Sequence, residues 1–466
     1  MASSNVDVLV RHVMEKLQNN VYGGSNGVGS SSGIFAEMND AVEASARAQK
    51  VYAKLSLADR ARVVAAIRKT VYDNAEELSR QTVEETKMGD YDDKVLKNRL
   101  VADKTPGVED LVSEAMTGDN GLTLIELSPF GVVGSITPTT NPTETIFCNA
   151  IGMLAAGNSI VFSPHPTSKN VSLKTIILIN KAITAAGAPP NLITAVQNPT
   201  MEQTNVMISH PKVAMLVATG GPGVVKTVLS SGKKAIGAGA GNPPALVDET
   251  ANIEKAAVDI IKGCGFDNNL PCVAEKEVIV VEQVADYMIF CMAGSGLVHF
   301  IQEKEIIRQL EQQLMSGNSP NKNFIGRSAK VIAESVGLKI DPKVKVLAME
   351  TPFEHPFVQH ELMMPVLPVV RASDFDDARQ KAIEVEHGYR HTAIMHSRNV
   401  ERLSVVAKEI QTTIFVKNAP SYAGIGVGGE GFTTFTIAGP TGEGLTSART
   451  FTRKRRCVLA DSFNIK

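Results

Sequence analysis

The spacing of apolar positions changes along the chain. Between residues 34 and about 115 the apolar residues recur every three or four positions, which predicts helices. Beyond them short apolar runs alternate with helical segments, and these runs lie at residues 131–137, 159–163, 191–197 and 213–219. Strands that alternate with helices are typical of βαβ units in a parallel, doubly wound sheet. A second block, from about 240 to 430, repeats the mixture and predicts a second α/β unit.

The first residues carry a different pattern. An apolar stripe with spacings of three and four predicts a short amphipathic helix over residues 1–20, and it consists of Val6, Leu9, Val10, Val13 and Leu17. Glycine and serine dominate residues 21–33, which predicts a flexible linker. The helix is therefore expected to lie apart from the main core. The alternative, a helix folded back on the body or across a subunit interface, stays open.

Composition and charge exclude several classes of partner. The chain has 466 residues, of which 43% are hydrophobic and 21% charged, and its formal net charge is -2. This balance predicts neither nucleic acid nor membrane as a partner. No long apolar run and no signal peptide are recognised, so a cytoplasmic protein is expected. The five cysteines show no disulfide or zinc spacing, and no metal site is expected.

Cys272 is the first candidate for chemistry. It lies in "GFDNNLPCVAEKEVIVVE", between a polar loop and a run that alternates like a strand. A free cysteine is often a small core residue, whereas a loop on a rigid scaffold is a frequent place for a reactive group. Cys264 is a rival, and the apolar surroundings of Cys148, Cys291 and Cys457 predict core positions. The stretch alone leaves the two interpretations open.

Two turns between a strand and a helix are further candidates. "VATGGPGVVK", residues 217–226, sets glycines where backbone N–H groups could hold a phosphate, although such turns often contain glycine for steric reasons. "ITPTTNPTETI", residues 136–146, places Asn141 at the start of a helix. The asparagine is either a helix N-cap or a side-chain amide that donates to a developing oxyanion.

Six motifs in order resemble those of the aldehyde dehydrogenase superfamily. They are "SPFGVVGSITPTTNP", "AAGNSIVFSPHP", "TGGPGVV", "GAGAGNPPALVDETA", "NLPC" and "ELMMPVLPVV". More closely, the chain resembles the branch that acylates coenzyme A in bacterial microcompartments. The resemblance extends from Gly33 to the C-terminus and implies a Rossmann-like dinucleotide-binding domain, an α/β catalytic domain and a β-arm for oligomerisation.

The resemblance also implies roles for particular residues. It makes Cys272 the nucleophile, and Asn141 the oxyanion donor together with the Cys272 backbone N–H; an environment that lowers the pKa of the thiol is then expected. It places an NAD cofactor on the residues Thr137, Pro138, Ser163, His165, Thr219, Gly220, Gly221 and Glu361. Among these, Glu361 matches the contact to the nicotinamide ribose. Ser163 stands where hydrolytic relatives carry lysine, which leaves the choice between NAD and NADP open.

An absent carboxylate implies the acceptor. Hydrolytic members carry a glutamate that activates water, and the alignment puts Ala238 at that position. Without that general base, the resemblance implies transfer of the acyl group from Cys272 to coenzyme A. The expected substrate is a short-chain aldehyde, with propionaldehyde favoured. A hydrolytic dehydrogenase and a catalytically inactive scaffold protein of a microcompartment are the two alternatives.

The implied organisation divides the chain into parts. Residues 34–239 form the nucleotide-binding domain and residues 240–430 the catalytic domain. Residues 116–130 and the tail 431–466 contribute to the oligomerisation arm, so a homo-oligomer, a dimer of dimers, is expected. The leading helix is expected to bind a microcompartment shell protein, which would place the enzyme in the lumen of that compartment.

Overall fold

A six-stranded parallel sheet, called here the first sheet, occupies the N-terminal half of the chain. The computed structural model describes residues 32–465. The strands of the first sheet lie in the order Ile34–Phe35, Ile193–Val196, Ser159–Pro164, Val132–Thr137, Val213–Thr219 and Lys234–Ala238. Four of these strands lie in the apolar runs that the sequence predicts. Their nearly complete burial explains why the runs are apolar throughout, since helices cover both faces of the sheet.

A second parallel sheet, the second sheet, has seven strands. Their order is Val298–Ile301, Val346–Glu350, Val366–Ala372, Glu277–Val281, Pro244–Val247, Thr392–His396 and Ile414–Lys417. The two sheets confirm the predicted α/β class with doubly wound parallel sheets.

Fourteen helices surround the sheets within residues 32–465. In the N-terminal half they are Met38–Tyr52, Leu57–Thr86, Tyr91–Lys104, Pro142–Ala155, Lys169–Ala185, Met201–Ser209 and Pro222–Leu229. Those that follow are Ile253–Gly265, Glu282–Gly294, Lys304–Leu314, Ala329–Ser335, Pro356–Gln359, Phe375–Val385 and Val400–Ile410. The longest begins with a capping box, in which Ser56 and Asp59 bond each other's backbone N–H groups. No helix in this part of the chain is both long and apolar enough to cross a membrane.

A three-stranded antiparallel sheet stands apart from the two parallel sheets. Glu114–Gly118 pairs with Gly121–Pro129, which pairs in turn with Thr452–Ala460. The last strand carries the basic run 453–456 on an exposed surface. Cys457 is exposed on this strand, so the predicted core position of this cysteine is wrong; the strand lies at an edge of the sheet and its side chains face solvent.

The helix Pro142–Ala155 joins the two parallel sheets. Every residue of this helix is buried. Phe147 and Ile151 belong to one hydrophobic cluster that also contains Val133 of the first sheet and Val280 of the second. Because the helix is covered on all sides, it is apolar around its whole circumference. The residue before it, Asn141, is therefore held at a fixed point between the sheets.

Candidate active site

The predicted cofactor residues of the first sheet gather at the carboxyl ends of its strands. Thr137 pairs in register with Pro164, and its neighbour Ile136 pairs with Ala218, one residue before Thr219. The chain first builds the sheet on one side of Val132–Thr137 and then crosses to the other side, so the order reverses beside this strand. Such a reversal opens a crevice at the carboxyl ends, where open α/β sheets bind nucleotides.

Two features of this crevice fit a dinucleotide. The hydroxyl of Thr137 is buried and has no hydrogen-bond partner, so a ligand hydroxyl or phosphate would satisfy it. Gly221 is the N-cap residue of Pro222–Leu229, and the space beside its Cα is open, with no atom within 4 Å of an added Cβ. Backbone N–H groups at such a helix start favour an anion.

The other predicted cofactor residues make contacts inside the fold. Ser163 Oγ lies 2.8 Å from Thr204 Oγ1, and both residues are buried. His165 is exposed and its Nδ1 caps the short 3-10 helix Pro166–Ser168. Thr219 Oγ1 contacts a threonine near the C-terminus, at 2.9 Å from Thr436 Oγ1. The Gly220 N–H donates to the Ala238 carbonyl at 3.1 Å, and Pro138 follows Thr137 directly.

The Cys272 loop has an unusual backbone. Three consecutive residues, Asp267, Asn268 and Asn269, have φ of 49°, 52° and 65°, in the left-handed region. Aspartate and asparagine are the side chains that tolerate this region best. A tight turn follows, in which the Ala274 N–H donates to the Pro271 carbonyl at 3.0 Å, and Cys272 lies half-buried within it. The "DNN" stretch is therefore the sequence feature that sets the course of the loop.

The side chain of Lys276 binds this loop through hydrogen bonds. Its ammonium is buried and donates to the Asn269 side-chain oxygen at 2.7 Å, to the Asn269 carbonyl at 3.0 Å and to the Pro271 carbonyl at 3.4 Å. Burial lowers the pKa of Lys276, whereas the negative charge of Glu361 raises it. Lys276 thus fixes the segment immediately before Cys272 and places a positive charge next to that segment.

The pKa of the thiol differs from the expectation. Burial, and then the negative charge of Glu361, raise the pKa of Cys272 to about 12, against the opposing charges of Lys276 and Lys97. The expectation of a lowered pKa is therefore wrong for the chain by itself: desolvation outweighs the two cations. A base must take the proton before the sulfur can attack a carbonyl.

Glu361 and His391 lie beside this loop. Burial raises the pKa of Glu361 to about 7, although the charge of Lys276 and the Gly241 N–H lower it. His391 is buried, its Nε2 has no hydrogen-bond partner, and burial lowers its pKa to about 4, so the ring is neutral at pH 7. A Cβ on Gly241 would lie 2.8 Å from His391 Cγ and 3.1 Å from the Cys272 carbonyl oxygen, which shows how closely these groups pack.

The sequence analysis missed Lys276 and His391. The available signal is their position, since each lies at or near the amino end of a strand of the second sheet, as Cys272 and Glu361 do. The strands that follow these four residues are Glu277–Val281, Thr392–His396 and Val366–Ala372. Only the finished topology shows that these amino ends lie together.

Asn141 occupies the N-cap position of Pro142–Ala155, but its side chain does not cap the helix. Its Oδ1 accepts a hydrogen bond from Lys97 Nζ. An ammonium can only donate, so the amide oxygen must face Lys97 and the NH₂ group must face the other way. The N-cap interpretation is thus wrong for the side chain. One N–H of the amide donates to Thr140 Oγ1 at 3.3 Å, and the other N–H could donate to a ligand.

The rival cysteine is far less accessible than Cys272. Cys264 is completely buried on the helix Ile253–Gly265, and burial raises its pKa. Its sulfur accepts from Asn269 Nδ2 at 3.4 Å.

Ala238, at the end of its strand, is buried and places no carboxylate at that point. Within residues 32–465 no cluster of histidine, cysteine and carboxylate side chains could hold a metal ion.

These features define an α/β protein with a crevice at the carboxyl ends of the first sheet, where such folds bind nucleotides, and a half-buried cysteine in a loop before a strand of the second. The sequence model of the protein family described as "Aldehyde dehydrogenase family" matches residues 30–294. A propanal dehydrogenase (CoA-propanoylating) of Citrobacter freundii is 47% identical over 467 residues, which cover 100% of both chains. The chain belongs to the aldehyde dehydrogenase family.

Two solved structures are similar over almost their whole length. A propionaldehyde dehydrogenase of Rhodopseudomonas palustris, with bound CoA and an acylated cysteine, is 59% identical with a TM-score of 0.92, covering 94% of this chain and 100% of that one. A propionaldehyde dehydrogenase from the fucose utilisation bacterial microcompartment of Clostridium phytofermentans is 51% identical with a TM-score of 0.92, covering 93% of this chain and 100% of that one.

Proposed function

We propose that this protein oxidises a short-chain aldehyde, with propionaldehyde favoured, to an acyl-coenzyme A through a thioester on Cys272. The observation that carries the proposal is that Lys97 bonds both Asn141, in the turn after a strand of the first sheet, and Asp267, in the loop of the half-buried Cys272. The full-length similarity to a CoA-propanoylating enzyme supports the choice of acceptor.

In this mechanism Cys272 attacks the aldehyde carbonyl after losing its proton. Burial raises the pKa of Glu361 to about 7, and the charge of this carboxylate acts on the thiol, so Glu361 in its ionised form can accept that proton. The NH₂ group of Asn141 and the Cys272 backbone N–H would stabilise the oxyanion. The sulfur remains bonded to the acyl group once hydride has left the former aldehyde carbon.

The nicotinamide cofactor supplies the hydride acceptor when it is bound. Thr137, Pro138, Thr219, Gly220 and Gly221 would hold it at the carboxyl ends of the first sheet. Glu361 would contact its ribose. Ser163 and His165 are assigned to the adenosine side, where the chain lacks the lysine of hydrolytic relatives and the preference between NAD and NADP stays open.

Coenzyme A is the proposed acceptor of the acyl group. A general base contributes typically 10²- to 10⁴-fold, and Ala238 provides none where the hydrolytic glutamate would stand. Water should therefore attack the thioester slowly, while the thiol of coenzyme A attacks it and regenerates Cys272.

A stopped-flow trace of reduced cofactor tests this proposal. Without coenzyme A, one equivalent per subunit should form quickly and the reaction should then stall. Coenzyme A should restore continuous turnover, with acyl-coenzyme A identified by mass spectrometry, and inorganic phosphate should not replace it. Many turnovers without coenzyme A and release of free acid would favour the hydrolytic alternative, and absence of any burst would favour an inactive scaffold.

The division into domains and the assembly are parts of the same proposal. Residues 34–239 would act as the nucleotide-binding domain and residues 240–430 as the catalytic domain. The exposed three-stranded sheet, with the tail 431–466, would pair with other copies in a dimer of dimers, since an edge strand can extend the sheet of a neighbour. Analytical ultracentrifugation should give the mass of a tetramer, and a monomer would contradict this.

The proposed place of the enzyme is the lumen of a microcompartment. The predicted helix 1–20 lies outside the described residues, and its apolar stripe would dock into a groove of a shell protein. Deleting residues 1–20 should leave turnover unchanged and abolish co-purification with shells. Loss of turnover after the deletion would assign the segment to the enzyme body instead.

A further inference from the structure

A buried lysine ammonium links Asn141 to the Cys272 loop. Lys97, on the helix Tyr91–Lys104, is completely buried. Its ammonium lies within 2.9 Å of three oxygen atoms, which belong to Asn141, Asp267 and Glu144. The ring of Phe435 covers it from a further side, with the ammonium 5.5 Å from the ring centroid. One side chain thus contacts both Asn141 and the loop that carries Cys272.

The charges of the four completely buried groups in this cluster balance, and the partly buried carboxylate of Asp93 lies at its border. A second buried lysine, Lys94, lies 3.1 Å from Asp267 Oδ2 and donates to the Thr140 carbonyl, also at 3.1 Å. Two ammonium groups therefore face two carboxylates, those of Asp267 and Glu144. An unbalanced buried charge is costly, so removal of one charged member alone should destabilise the fold.

The contact with Asp267 determines the start of the left-handed stretch. Asp267 Oδ1 accepts from the Asp90 N–H at 2.8 Å, while Oδ2 accepts from both lysines. The Asp267 N–H donates to Asp93 Oδ2 at 2.8 Å. All these partners lie in or next to the helix that carries Lys97, so this helix fixes the residue five positions before Cys272.

We infer that Lys97 is a positioning residue that orients the Asn141 amide and the Cys272 loop toward the same reacting carbonyl. The inference rests on the proposed function. Lys97 holds the amide oxygen, so the NH₂ group points away from the lysine; Lys97 also holds Asp267, so the loop cannot move independently of the amide. A displacement of about 1 Å in such a constellation can cost 10²-fold in rate.

The test uses an activated ester, p-nitrophenyl propionate, and needs neither cofactor nor coenzyme A. The Cys272 thiolate attacks the ester carbonyl, a carbon–sulfur bond forms, and nitrophenolate leaves. The burst of nitrophenolate measures acylation of Cys272 through the same type of oxyanion. A wild-type protein without a burst would contradict the proposed function itself, and this inference with it.

The decisive variant is Lys97→Met/Glu144→Gln, which removes one charge of each sign. Lys97→Met alone leaves two carboxylates against one ammonium and should lower the unfolding temperature. The double variant restores the balance, so its unfolding temperature should recover while acylation stays about 10²-fold slower than in the wild type. Wild-type acylation in the double variant would overturn the inference, because Lys97 would then only stabilise the fold.

A double-mutant cycle with Asn141→Ala tests the pathway. If Lys97 acts through the amide, its loss should change acylation less than about threefold once the amide is gone, since coupled groups are not additive. A further loss of about 10²-fold in that background would overturn the assignment to Asn141. Lys255→Met is the control, because it removes another lysine with a carboxylate partner, and its ammonium bonds Asp259 and the Asn418 carbonyl, which lie outside this cluster. It should leave acylation unchanged.

Lys97→Arg tests the inference if the double variant does not fold. It keeps the buried positive charge but moves the donors, so acylation about tenfold below the wild type is expected in a folded protein. Wild-type acylation in Lys97→Arg would show that the position of the donor is irrelevant and would overturn the inference.

Discussion

The residues of the proposed site lie at opposite strand ends in the two parallel sheets. The carboxyl ends of the first sheet are called here the first edge, and the amino ends of the second sheet are called the second edge. In the first sheet the residues assigned to the cofactor lie at carboxyl ends, as the rule for nucleotide-binding α/β sheets expects. In the second sheet Cys272, Lys276, Glu361 and His391 lie at or near amino ends. The first edge offers a hydroxyl, glycines and backbone groups, whereas the second offers buried charges. The residues proposed for cofactor binding and those proposed for chemistry thus differ in chemical kind.

The largest expected effect separates the two edges. Cys272→Ala should reduce acyl-coenzyme A formation by at least about 10⁴-fold, because the nucleophile is removed, while cofactor affinity stays within about twofold. Steady-state assays and fluorescence titration with the cofactor would measure both. Cys264→Ala is the control and should keep most activity, since that cysteine is completely buried. If Cys264→Ala were the inactive variant, the nucleophile would lie on the helix Ile253–Gly265 instead of the loop that follows it.

An intermediate effect tests the charges at the second edge. Glu361→Gln removes a negative charge that raises the pKa of Cys272, and Lys276→Met removes a positive charge that lowers it. Alkylation by iodoacetamide should therefore be faster in the first variant and slower in the second, by about tenfold for each unit of pKa. The Glu361 effect should fade below pH 7, where this carboxyl becomes protonated. Changes in the same direction would contradict this electrostatic account.

The smallest expected effect concerns the first edge. Thr137→Val removes the buried hydroxyl without a partner and should weaken cofactor binding about fivefold, the equivalent of about 1 kcal/mol for a hydrogen bond. Alkylation of Cys272 should not change. Thr194→Val is a matched control, because its hydroxyl already donates to the Ala41 carbonyl inside the fold. Unchanged affinity in Thr137→Val would remove the hydroxyl from the cofactor site.

The fold and the first edge could be predicted from the sequence to a large extent. Apolar runs bounded by turns mark strands that are buried on both faces, and residues 131–137 and 213–219 contain strands of the first sheet. The strand-to-helix turns then place Thr137 and Thr219 at the carboxyl ends without any long-range information. At the first edge the apolar runs and the residues of the turns both indicate the same strand ends.

The second edge and the buried cluster could not be predicted in this way. Lys94 and Lys97 lie in "YDDKVLKNRLVADK", where the pattern reads as a charged helix surface, yet both are completely buried. Their partner Asp267 is about 170 residues away, and no local spacing indicates that pairing. His391 likewise gains its place beside Gly241 only through the order of strands in the sheet. An ion pair between residues that are distant in the chain produces no repeating pattern in the sequence.

The left-handed stretch Asp267–Asn269 has a consequence for the order in which the chain acquires its reactivity. Left-handed non-glycine residues cost of order 1–3 kcal/mol each, so they persist only where surrounding contacts enforce them. For Asp267, the first residue of the stretch, those contacts come from Lys94, Lys97 and Asp90, far earlier in the chain. A chain in which the helix Tyr91–Lys104 has not yet docked should therefore lack these contacts, and Asn141 and the Cys272 loop should reach their proposed arrangement only after that docking.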